Sequence, residues 1–147
     1  MTDIREEILE RLKEIAEELE GIKRVERDFI AISEDELPAV IILEGDEEAD
    51  EGDPVGRPTT SPRRVTMTPE IRIMVRNNSA DIGPQLSAFR AALIKAIAAD
   101  AALKALVING VGIRYRGLAT ALARGRTMDA DMGLVFGLTY VLKPDEL

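Results

Sequence analysis

The chain has 147 residues, 46% of them hydrophobic and 31% charged, with 19 Lys and Arg against 27 Asp and Glu for a net charge of −8. A single domain of this size buries roughly 68–70% of the surface its unfolded chain exposes, and its acidity argues against nucleic acid as the main ligand. With no Cys and no His, disulfides, thiolate or imidazole metal sites and Ser-His-Asp or Cys-His machinery are excluded. No apolar run reaches the ~20 residues of a membrane span, and Met1 leads into a charged helix rather than a signal peptide. The expectation is a non-enzymatic protein, made in the cytoplasm, with no cofactor, no metal and no membrane.

Ile4, Ile8, Leu12, Ile15, Ala16 and Leu19 form one stripe at helical spacing, with Thr2 or Asp3 placed to cap its start and Gly21 just past its end. Its opposite face is rich in Glu, so the stripe needs a sheet to cover. Two strands are expected next, over Val25–Ile32 with Phe29 in the core, and over the dense apolar run that ends at Gly45. Ser33–Pro38 reads as the turn between them. A long third strand is expected from about Arg64 to Arg76, with Ile71, Ile73 and Val75 on one face and Pro69 marking an edge or a bulge. A second helix follows, N-capped by Asp81, with Pro84 in its first turn and Ile82, Leu86, Phe89, Leu93 and Ile97 as its stripe. After a short helical turn over Asp100–Leu106 come a strand around Val107–Gly117 and a final strand over Met132–Leu142, where Phe136 and Tyr140 share a face. The stretch 118–131 is ambiguous, helical by its Ala and Leu content yet broken by Gly125 and Thr127. The order αβββαββ makes residues 1–147 a single α+β domain, with a mixed or antiparallel sheet of about five strands packed by two main helices.

Residues 44–64 stand apart. Glu44, Asp46, Glu47, Glu48, Asp50, Glu51 and Asp53 crowd together, followed by Arg57, Arg63 and Arg64, with Pro54, Pro58 and Pro62 and no apolar period. A structureless connection of this length is uncommon inside a domain, so the segment reads as a long charged hairpin arm between two strands. A calcium loop begun at Asp46 has Glu51 where the turn needs Gly and Arg57 where the last carboxylate belongs. Charge is divided along the chain: residues 1–54 hold 20 acidic and 6 basic side chains, residues 55–147 hold 7 and 13. A chain so divided can offer an acidic surface to the basic surface of another copy, and head-to-tail association closes into a ring when the rotation allows.

The segments REEILERLKEI, GIKRVERD and ELPAVIILEGDEE, then the arm, EIRIMVRN, FRAALIKAIAADAALKALV and MGLVFGLTYVL follow the order and texture of one family. The chain resembles the tail terminator (tail completion, minor tail protein U-like) proteins of long-tailed bacteriophages over nearly its whole length. The resemblance implies an α+β subunit of a hexameric ring that caps the tail tube, stops its growth and joins it to the head-completion, or stopper, complex. Its partners would be further copies of itself, the tail tube protein and the head-completion protein, and its place the neck end of the virion tail, after assembly in the host cytoplasm. The alternatives are another head–tail connector, or a small cytoplasmic binding module whose acidic arm docks a basic partner.

Arg114, Arg116, Arg124 and Arg126 are the basic candidates for contact between subunits. Double-stranded DNA passes through such a ring without specific binding, because phosphates held in the lumen would detain the genome. Asp46, Glu47, Glu48, Asp50, Glu51 and Asp53, the densest carboxylates, are expected either to face that channel or to remain on the arm.

Overall fold

The computed structural model describes residues 3–28, 31–50, 52, 56–78, 80–123 and 128–147. The apolar stripe near the N-terminus folds as its period dictates, giving α1 over Ile4–Glu17, where Asp3 caps the first turn by accepting from the Arg5 N–H at 3.0 Å. Ile8, Leu9, Leu12, Ile15 and Ala16 are buried. Gly21, at φ +90°, lies beyond the helix end rather than at its cap, which is Glu18. The second stripe gives α2 over Ile82–Ala99, with Ile82, Leu86, Leu93 and Ile97 buried and Phe89 packed at the core margin. Asp81 precedes α2 but makes no side-chain cap bond. The Asn78 carboxamide oxygen instead accepts from the Ala80 and Asp81 N–H groups at 3.1 and 3.0 Å. Among the described residues no helix is long and apolar enough to cross a membrane.

Among the described residues the sheet has seven strand segments: β1 Arg24–Arg27, β2 Ala39–Leu43, β3 Glu47–Ala49, β4 Arg63–Met67, β5 Glu70–Asn77, β6 Ile113–Ala123 and β7 Met128–Leu142. Four of them are halves of two long strands. β4 and β5 pair with β7 in one unbroken register, from Arg63 opposite Leu142 to Asn77 opposite Met128. Pro69 therefore sits inside a long strand, not at its edge. Its carbonyl still accepts from the Phe136 N–H at 3.2 Å, and the ladder lacks only the bond a Pro69 N–H would have donated. Across from it, β2 pairs with β5 and β3 with β4, but the register shifts by one residue between them. The extra residue is accommodated around Gly45, at φ +71°, and this bulge turns the strand into the acidic arm.

The expected course of β1 and of the turn after it is corrected by the structure. β1 ends at Arg27, where Asp28 adopts φ +63°, and it runs parallel to β2. The Ser33–Pro38 segment, with its 3-10 turn at Glu34–Glu36, is thus part of a crossover rather than a hairpin turn, since parallel neighbours cannot be joined tightly. Phe29 lies outside the described residues. The ambiguous stretch after Gly117 continues β6 to Ala123, and β7 begins at Met128, so the two form a second long hairpin. Helix propensity lost there because the segment pairs along its length with β7 in the sheet. The arm also begins as sheet, β3 against β4.

Both helices cover one face. Val40, Ile42, Val65, Met67, Ile71, Ile73, Val75 and the even-numbered residues from Ala130 to Tyr140 pack against them in one core. After α2, α3 (Ala101–Leu106) is pinned to α1 through Asp100. The Asp100 carboxylate caps α3 by accepting from the Leu103 N–H at 2.8 Å, and it takes a forked pair from Arg11 at 2.9 and 2.6 Å. Arg11, ahead of that backbone bond, holds the Asp100 carboxyl below the usual carboxylate range. Asp100 therefore stabilises the fold at pH values above that range, and its contribution is lost as pH falls through the depressed value. Asp100→Ala is expected to lower stability by about 1–2 kcal/mol in urea unfolding, and Asp100→Asn by less, because the carboxamide retains the cap.

Among the described residues the opposite face carries no α-helix. There Arg24 pairs with Glu26 and Glu36, Arg72 with Glu70 and Asp131, and Arg76 with Glu34 and Asp129. Ala39 and Ile41, which alternate with the core residues of β2, are buried on this side as well. Ile41 stands in the ladder between Glu26 and Arg72, whose apolar stems cover it while their charged ends reach water.

Candidate functional site

The features suited to contact with another molecule lie at the two margins of the sheet. On one, β6 pairs with β7 alone among the described residues. Its first three residues follow a simple alternation: Ile113 and Tyr115 lean toward the helices, Arg114 away. A bulge then inserts Arg116 between Tyr115 and Gly117, which re-aims its side chain. A Cβ placed on Gly137 meets the Arg116 Cδ at 3.2 Å and the Thr66 Cγ2 at 3.8 Å. Arg116 consequently lies flat across β7 on the helix-free face, the side to which Arg114, paired with Gly137, also points. Neither arginine makes an ion pair among the described residues.

Beside these arginines is exposed apolar surface. Val111 is 77% exposed, Leu118 40% and Tyr115 38%. Tyr115 packs its ring against Phe136 with centroids 5.6 Å apart, and the Arg90 guanidinium of α2 covers it at 5.5 Å. Next to it a cavity of about 170 Å³ opens between α2 and β6, lined by Ile94, Ile97, Val111, Ile113, Tyr115 and Lys104 among others. Tyr115 was legible in the sequence only as an aromatic between two arginines. Val111, Leu118 and Arg90 were not singled out, because their exposure and proximity depend on where β6 ends and α2 crosses.

The other margin is the acidic arm. Glu47, Glu48 and Ala49 are all exposed in β3, and the ladder bonds Thr68 N–H to Asp46 O at 2.9 Å and Asp50 N–H to Arg64 O at 3.0 Å carry the pairing from residue 46 to residue 50. Alternation separates the carboxylates. Glu48 faces Thr66 in the register, and the Thr66 hydroxyl meets that of Thr139 at 2.8 Å on the helix-free face, so Glu48 belongs to that face with Asp46 and Asp50 two residues either side. Glu47 points to the other side, where its carboxylate accepts from the Tyr140 hydroxyl. Burial, and then this bond, push the Tyr140 hydroxyl pKa up. Among the described residues no three His, Cys, Asp or Glu side chains converge as a metal ion requires. Glu51, Asp53, Arg124 and Arg126 lie outside the described residues.

One cation ties the arm to the body. Arg27 donates to Glu6 at 3.0 Å and to Glu10 at 2.7 Å on α1, and to Glu44 at 2.7 Å where the arm begins. Its side chain is only 18% exposed. Its hydrogen bond is the main reason the Glu6 carboxyl sits below the usual carboxylate range.

Compared with known proteins, the sequence matches no family model, and no curated protein is detectably similar to it.

Proposed function

We propose that this chain is a structural subunit that assembles head to tail with copies of itself into a closed ring, and that the ring is the tail terminator of a long-tailed phage. The observation that carries the reading is the β6 margin, where Val111, Tyr115 and Leu118 are exposed on the helix side and two arginines lacking a carboxylate partner among the described residues lie on the helix-free side. Exposed apolar surface rimmed by charge marks a contact site, and the chain carries the complementary charge on its own acidic arm. Six copies, a place at the neck end of the tail, and partners in the tail tube and head-completion proteins follow from the family resemblance read in the sequence. In this role the protein acts by contact and not by catalysis, and DNA slides through the ring without specific attachment.

Light scattering across a range of concentrations tests the assembly directly. A mass six times that of the chain, with ring-shaped particles in negative stain, is expected. Arg114→Glu combined with Arg116→Glu should lower the oligomer fraction severalfold at low salt while leaving the melting temperature of the monomer unchanged, because both side chains are exposed. A monomer at every concentration refutes the ring and leaves the small binding module. Addition of the assembled ring to polymerising tail-tube protein should halt tube growth; unimpeded growth places the ring elsewhere.

A further inference from the structure

β3 and β6 are open edges of one sheet: among the described residues β3 pairs only with β4, and β6 only with β7. Each has backbone N–H and C=O groups pointing away from its single partner, the condition under which a further strand adds. Their side chains are of opposite charge and lie on the same face. Asp46, Glu48 and Asp50 share the helix-free face with Thr66, and Arg114 and Arg116 share it with Gly137 and Thr66.

We propose that copies of this chain join edge to edge, β6 of one pairing with β3 of the next, so that one sheet continues from subunit to subunit. This deepens the assembly reading above and rests on it. The occupant of each edge is a second copy because the charges select it. Pairing β6 with another β6 sets Arg114 and Arg116 against their own equivalents, and pairing β3 with β3 opposes carboxylates; like charges placed opposite one another destabilise a ladder. The unlike pairing uses two different edges, so it is heterologous and propagates, closing when the rotation permits. It also preserves face parity. The arginines meet Asp46, Glu48 and Asp50 on the helix-free side, while Ile113 and Tyr115 come beside Glu47 and Ala49 on the other.

The chain has no Cys, which makes Glu48→Cys and Arg114→Cys unambiguous reporters. Assembled protein carrying both substitutions, oxidised gently, should yield a ladder of covalent multimers that ends at the ring. Either substitution alone should give no covalent dimer. Oligomers of the right mass that form no such link, whether through residue 114 or through Arg116→Cys, overturn edge pairing and leave the ring reading standing. A monomeric mass before oxidation overturns both. Charge exchange gives an independent readout: Glu48→Arg should weaken association about tenfold, and adding Arg114→Glu in the same chain should restore it to within about twofold. If the second change weakens association further, the two residues do not face each other and the pairing is wrong.

Discussion

Replacing Gly45 by Ala is expected to destabilise the protein by about 3 kcal/mol or more, a large part of the ~5–15 kcal/mol that holds a domain together. The residue stands at φ +71°, and a Cβ added there falls 2.0 Å from the Thr68 carbonyl oxygen. Thr68 cannot retreat, because its N–H is bonded to Asp46 O across the same bulge. Gly56 supplies the internal comparison, since it has φ +92° but nothing within 4 Å of the added Cβ. Gly56→Ala should therefore cost only the backbone strain, about 1 kcal/mol. Urea unfolding of the two variants measures the difference. Limited proteolysis locates it, with new cleavage between residues 44 and 64 expected in Gly45→Ala alone. Equal losses in the two variants would mean that the arm's junction is not sterically determined.

Arg27→Met should lower stability by about 1–2 kcal/mol at neutral pH, after allowance for the solvent exposure of the carboxylates. The substitution keeps the apolar stem but leaves Glu6, Glu10 and Glu44 facing one another without their cation. In the parent protein Glu6 has a depressed pKa, so its contribution to stability is present above the usual carboxylate range and disappears as pH falls through the depressed value. In the variant the sign reverses, since protonation relieves repulsion among the three carboxylates. The gap in stability between parent and variant is thus expected to narrow as pH falls through the carboxylate range. Thermal unfolding at a series of pH values reads it, and a gap that stays constant with pH would assign the loss to packing of the Arg27 stem.

Edge pairing requires this junction to hold β3 in place. Gly45 and Arg27 aim the arm, and the arm carries β3, so either substitution should also reduce association even though neither residue is at the open edge. Charge exchange at Glu48 and Arg114 should change association without changing stability. That separation of readouts distinguishes residues that place the edge from residues that form it.

The sequence by itself determined the two helices, the α+β class and the faces of the central strands. α1 and α2 were legible because a stripe at 3.6-residue spacing records burial in the local order of residues, as Ile8, Leu12, Leu93 and Ile97 do. The alternation of Ile71, Ile73 and Val75 was legible for the same reason at a spacing of two. The charge division between the two halves of the chain was also plain in composition. Only the tertiary structure decided the rest. β3 has the sequence Glu-Glu-Ala and no apolar face, so nothing local marks it as a strand; its pairing with β4, distant in the chain, makes it one. The Ala- and Leu-rich end of β6 has a local preference for helix that is overruled by β7. The parallel course of β1 was hidden because a short apolar run has no direction written in it. Which carboxylates and arginines share a face was equally hidden, since it depends on the bulges at Gly45 and Arg116. Each bulge changes the alternation by one residue, and with it the side of the sheet on which every later side chain falls.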